Sequence, residues 1–186
     1  MMRDLAKACD MLLGLPKSLL FNLHYFGLAG LRLPVLLSWR VRLERLSGRV
    51  FLARHRFGTV RLGLQTCDGE LMLGNGMDIN AGAHVFCASR VEVGDGGLWA
   101  WNVVVTDHDF HHIEDGSGAI VNMPRPVTLR EHIWIGANAC VLKGSGVGAD
   151  TVIGAASVVS GRFDEAHCVL AGNPARVVKR GTHWRH

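Results

Sequence analysis

A parallel β-helix, a coil of short strands stacked side by side, is the fold class this sequence predicts, and three observations carry it. Ile135, Val141, Val147, Ile153 and Val159 recur every six residues without a slip. Ala139, Ser145, Thr151 and Ser157 keep the same beat four residues behind the first four of them, and Gly136, Gly148 and Gly154 directly follow three. A period of six fits neither a helix at about 3.6 nor a plain strand at about 2. It fits a triangular coil in which each flat side points one branched aliphatic inward and a small residue fills each corner. Twenty-three glycines against a single tyrosine suit a fold of tight corners.

In chain order, Asp4 to Leu15 reads as a short helix, because Leu5, Ala8, Cys9, Leu12 and Leu13 share a face and Asp4 serves the N-terminal end. Pro16 opens a new element. From Lys17 to Val50 the chain is leucine-rich, broken by Gly27, Gly30 and Pro34, and studded with Arg32, Arg40, Arg42, Arg45 and Arg49. That pattern suits a cap closing the first coil, and equally a helix lying on an anionic membrane surface. Between Val60 and Thr106 the beat is syncopated. Leu73, Ile79, Val85 and Val91 hold one register, and Val93, Trp99 and Val105 another, shifted by two. Residues 107–130 abandon the repeat for a polar loop holding His108, His111 and His112, the kind of excursion on which solenoids carry function. The beat returns by Ile135 and runs to Gly161. The expected organisation is a cap over 1–59, partly helical or irregular; a coil over 60–161 with its loop at 107–130; and a basic extension over 162–186.

Charge and cysteines bound the function classes. Of 20 Lys/Arg and 16 Asp/Glu, residues 1–61 hold 11 and 3, so the basic half is N-terminal although the chain's net charge is only +4. That half carries no groove-reading motif, and no nucleic-acid partner is expected. Five cysteines at 9, 67, 87, 140 and 168 are odd in number and contain no Cys-x-x-Cys pair. Neither a disulfide framework nor a thiolate zinc site is expected, and no metal is assigned. Asp4 and Asp10 and the lack of a long apolar run argue against a secretory signal, so the expected location is the cytoplasm, with the inner membrane face as a further option.

Thr106-Asp-His-Asp-Phe-His-His-Ile is the densest titratable cluster, pairing imidazoles with carboxylates as general-base work requires. With this loop, Ile133-Trp-Ile-Gly-Ala where the coil resumes, and the closing Ala171-Gly-Asn-Pro-Ala-Arg, residues 60–180 resemble the hexapeptide-repeat acyltransferases. Pro16-Lys-Ser-Leu-Leu-Phe-Asn-Leu and the run Asp107-x-Asp-Phe-His-x-Ile after Trp101 are similar to the O-acetyltransferases of bacterial capsule and lipopolysaccharide synthesis. The resemblance implies a left-handed coil, where strand-crossover physics alone would favour the right hand. It also implies a homotrimer with active sites between prisms, acetyl-CoA as donor, and a sugar hydroxyl of a polysaccharide or its precursor as acceptor.

Matched to the Asp-x-Asp-Phe-His pattern, His111 is the first choice of base; matched to a His-x-x-His-His run, His108 is. Asp107 or Asp109 would orient the imidazole, and spacing does not choose between them. For the donor, the resemblance points to Trp134 beside the reaction centre, Ala137 and Ala155 under the pantetheine arm, Ser160 facing it, and Arg176 and Lys179 near the CoA phosphates. The alternatives are an acetyltransferase acting on another small hydroxyl or amine acceptor, a gamma-class carbonic anhydrase-like enzyme with zinc on His84, His108 and His111 or His112, and a non-catalytic scaffold.

Overall fold

The computed structural model describes four helical residues, Leu15, Pro16, Leu19 and Leu20, the backbone of the strands between 42 and 66, and residues 69–80 and 82–185. The expected helix over Asp4 to Leu15 and the membrane-facing reading of 17–50 lie otherwise outside the described residues.

The chain winds as a left-handed β-helix, each turn supplying one strand to each of three parallel sheets. Successive turns give β1 (Arg42–Leu46), β2 (Arg49–Leu52) and β3 (Arg56–Phe57); β4 (Gly63–Thr66), β5 (Glu70–Leu73) and β6 (Asp78–Ile79); and β7 (His84–Cys87), β8 (Arg90–Val93) and β9 (Leu98–Trp99). Then come β10 (Val104–Thr106), β11 (Val127–Leu129) and β12 (Trp134–Ile135); β13 (Cys140–Val141), β14 (Gly146–Val147) and β15 (Val152–Ile153); and β16 (Val158–Val159), β17 (Arg162–Phe163) and β18 (Cys168–Gly172). A last strand, β19 (Ala175–Arg180), folds back antiparallel on β18.

The hexad aliphatics form the core. Ile135, Val141, Val147, Ile153 and Val159 are all fully buried, and Ala139 with Ser145, Thr151 and Ser157 fills the corners. Each buried aliphatic contributes about 1.5–3 kcal/mol relative to exposure. The corner hydroxyls also satisfy backbone groups: Ser145 Oγ donates to Val159 O at 3.1 Å, and Ser157 Oγ accepts from Gly172 N at 3.2 Å.

Turn length explains the syncopation. In the regular region Val141 pairs with Val159 and Ile135 with Ile153, 18 residues on. Earlier, Val85 pairs with Val105 and Ile79 with Trp99, 20 residues on. The longer side carries two inward positions per strand: Leu71 with Leu73 and Val91 with Val93 are all buried. The second register therefore stacks directly on the first, Val93 on Leu73, Trp99 on Ile79 and Val105 on Val85.

The coil also extends beyond its expected 60–161 span at both ends. Leu43 pairs with Leu64, Val50 with Leu71 and Phe57 with Ile79, so strands begin at Arg42, inside the segment read as a cap. Leu43, Val50, Phe57, Leu64 and Leu71 succeed one another every seven residues, a step that a search for sixes passes over. At the other end β17 and β18 still pair in parallel with β14 and β15, although Phe163 and Leu170 fall off the hexad beat.

Candidate active site

Residues 107–126 leave the coil at the corner between β10 and β11, and Asp107 anchors the departure. Its side chain is fully buried, and the corner of the preceding turn presents three backbone N–H groups to it. Ala88 N donates to Oδ1, and Ser89 N and Arg90 N to Oδ2, each at 2.7 Å. Arg125 N closes the loop by donating to Asp107 O at 2.9 Å.

The next residue, His108, sets its Nδ1 3.0 Å from Asp107 Oδ1. A carboxylate only accepts, so the contact selects the tautomer of the neutral ring with its proton on Nδ1 and its lone pair on Nε2. His108 is largely buried, its ring against Phe110 at 4.5 Å between centroids, and its backbone oxygen accepts from Thr106 Oγ1 at 2.7 Å. Backbone and ring are thus both held, leaving one basic nitrogen without a partner among the described residues.

Asp109, the other carboxylate of the motif, does different work. Lys143 Nζ pairs with its Oδ2, and Asn122 Nδ2 donates to the same oxygen at 2.9 Å. The Lys143 hydrogen bond, helped by Asn122, holds the Asp109 carboxyl below its ordinary range. Lys143 also donates to Asn122 O at 2.9 Å, and Asn122 donates to His111 O at 2.8 Å and accepts from Ile113 N at 2.7 Å. Lys143, on the corner of the following turn, therefore clasps the excursion to the coil. No sequence motif marked it or Asn122, because their roles depend on which corners stack. His111 and His112 are exposed on this clasped loop, and the backbone of His111 carries its contacts.

The expected donor-side residues are spread over the lower coils. Ala137 and Ala155 lie on one corner in successive turns, tied where Ala156 N donates to Ala137 O at 2.8 Å. Trp101 stands one turn above them and is exposed. Trp134 is 39% exposed and its ring lies 6.1 Å from that of Trp184. Ser160 is exposed at the corner after β16, and Arg176 and Lys179 are exposed on β19. His84 stacks on Phe86, and the group of three metal-capable ligands found among the described residues contains none of His84, His108, His111 and His112.

Comparison with known proteins agrees with this architecture. No protein-family model matches the chain. It is 31% identical over 126 residues to a putative lipopolysaccharide biosynthesis O-acetyl transferase of Escherichia coli K12, covering 62% of this chain and 63% of that one. Among solved structures, the polysialic acid O-acetyltransferase OatWY superposes with a TM-score of 0.69 at 25% identity, over 78% of this chain and 70% of its own. A galactoside acetyltransferase in complex with coenzyme A superposes with a TM-score of 0.56 at 26% identity, over 70% of this chain and 64% of its own.

The fold is the left-handed β-helix that these acetyltransferases share. Within that class the chain resembles the O-acetyltransferases of capsule and lipopolysaccharide synthesis. It spans about three fifths of the length of the curated relatives it matches, 63% and 60% of the first two.

Proposed function

We propose that this protein is an acetyl-CoA-dependent O-acetyltransferase acting on a sugar hydroxyl of a cell-surface polysaccharide or its precursor, with His108 as general base. The observation that carries the reading is the Asp107–His108 pair: a buried, fully hydrogen-bonded carboxylate that fixes an imidazole on a hexapeptide coil and leaves its Nε2 as the proton acceptor. The sequence motif ranked His111 first; the buried orienting carboxylate belongs to His108, and on that ground His108 takes the role.

In the reaction, His108 Nε2 takes the proton of the acceptor hydroxyl as its oxygen attacks the thioester carbonyl. A backbone N–H stabilises the oxyanion that develops. The carbon–sulfur bond then breaks, and the imidazolium returns its proton to the departing CoA thiolate. Ala137 and Ala155 offer a side-chain-poor wall for the pantetheine arm, Ser160 a hydroxyl, Arg176 and Lys179 cations for the phosphates, and Trp134 a flat surface beside the reacting groups. The working unit is a homotrimer, by analogy with the fold. The protein works in the cytoplasm, where its basic N-terminal segment meets the inner membrane face; no helix among the described residues is long and apolar enough to cross a membrane.

The test measures CoA thiol release from acetyl-CoA with a panel of free and lipid-linked saccharide acceptors. His108→Ala is expected to lose about 10²–10⁴-fold in kcat while still binding CoA, and His111→Ala to lose far less. Full activity in His108→Ala would overturn the assignment. Calorimetric titration with acetyl-CoA tests the donor independently: Arg176→Ala should weaken it, and no binding to the wild-type chain would overturn the donor.

A further inference from the structure

A second cluster lies away from the loop, at the corner between the sheets of β14 and β15. His132, Asp150 and His167 occupy equivalent positions there in three successive turns. His132 N donates to Asp95 O at 2.7 Å, Asp150 N to Glu131 O at 3.0 Å and His167 N to Ala149 O at 3.0 Å. All three have left-handed backbones, with φ of 56°, 52° and 60°. Stacked corners therefore project three chemistry-bearing side chains as a ladder, and the C-terminal tail adds a fourth, His183.

We propose that this corner binds one divalent cation of the zinc class through His132, Asp150 and His183. Their ligand atoms lie within 4.8 Å of one another, so a small side-chain adjustment brings all three onto a single ion. Zinc takes imidazole nitrogen and carboxylate oxygen at about 2.0–2.2 Å, and three protein ligands leave its fourth position to water. Asp150 is buried, at 6% exposure, and among the described residues its side-chain partners are imidazoles only. His132 Nδ1 meets Oδ1 at 2.7 Å, and Nδ1 of both His167 and His183 meets Oδ2. With no lysine or arginine among the described residues paired to it, the negative charge is matched only by groups that are themselves metal ligands.

His167 then serves outside the metal's own ligands, its Nδ1 at 3.0 Å fixing the carboxylate as such partners do. The half-exposed ring of His183 and the intermediate exposure of His132 leave an access path from solvent. Trp184 covers the other side: its ring stacks on His132 at 4.1 Å and 7°, and its Nε1 donates to His132 O at 2.9 Å. Thr182 N donates to His167 O at 2.8 Å. The ion would thus fasten residues 181–185 to the coil and hold Trp184 beside Trp134. Sequence spacing suggested no metal because the four residues come from four separate stretches.

The test uses the full chain without an affinity tag, stripped with chelator, re-equilibrated with zinc, desalted and assayed for metal content. Cobalt(II) uptake is followed in parallel by visible absorption. The expected result is one zinc per chain, a change in tryptophan emission on loading, and affinity lower by about tenfold or more in His183→Ala and Asp150→Asn. His183 lies on the tail beyond the coil, so its variant keeps the fold, which circular dichroism verifies. Failure of the wild-type chain to retain zinc or cobalt, or equal retention by His183→Ala, would overturn the proposal. Neither readout depends on acyl transfer.

Discussion

Replacing Asp107 by Asn removes a charge without changing volume, and the surrounding donors decide the cost. Oδ1 accepts from Ala88 N and faces His108 Nδ1, and Oδ2 accepts from Ser89 N and Arg90 N. An amide keeps one oxygen. Placed at the Oδ2 position, it retains the bonds to Ser89 and Arg90, turns an NH₂ toward Ala88 N, and makes His108 Nδ1 an acceptor. The opposite flip orphans two backbone donors, so the first is favoured. Leaving one donor unmatched beside a fully buried side chain costs about 1–3 kcal/mol, and the surviving bonds lose their charge assistance, for a total of about 2–4 kcal/mol. The ring proton of His108 moves to Nε2, and the base proposed above is lost even where the fold survives. Urea denaturation reads the first effect and ¹⁵N NMR of the imidazole the second, with kcat expected to fall by about 10²–10⁴-fold. Stability within about 0.5 kcal/mol of wild type, with the proton still on Nδ1, would refute the reasoning.

Three further outcomes are expected. Gly148→Ala would set a Cβ 2.4 Å from Glu165 O in the neighbouring turn and should cost about 1–3 kcal/mol or more, whereas Gly161→Ala, which meets nothing within 4 Å, should be close to neutral; equal midpoints in urea would contradict this. The Asp109 carboxyl is held low in the folded state by Lys143, so the clasp stabilises above the unfolded value of about 3.9 and is lost as pH falls through the lower folded one. The difference between wild type and Lys143→Ala should therefore be largest at about pH 6, small because Asp109 is partly exposed, and shrink as Asp109 protonates to what the Lys143 bond to Asn122 O contributes; a difference constant down to full protonation would remove Asp109 as a source. Burial pushes the Cys168 thiol up, so alkylation of Cys168 at mildly alkaline pH should wait for unfolding, and rapid labelling of the native chain, located by peptide mapping, would contradict its burial.

The fold was legible because it is periodic. One inward aliphatic per side and one small residue per corner are local demands, repeated, and Ile135 to Val159 state them without interruption. Where the demand changed, legibility fell: the first turns step by sevens, strands such as Glu70–Leu73 carry two inward residues, and the last turns shorten. The loop and its titratable content were also visible, since a polar run breaking a strict repeat stands out. The order of its histidines was not.

Composition and period by themselves determined that this chain is a β-helix, where its walls lie, and which loop carries imidazoles beside carboxylates. Tertiary structure alone decided that Asp107 meets the His108 ring while Asp109 pairs with Lys143, and that His132, Asp150 and His167 share one corner. The physical reason is the coil itself. Residues a turn apart in sequence become van der Waals neighbours, so which side chains meet at a corner depends on the length of the turns and excursions between them.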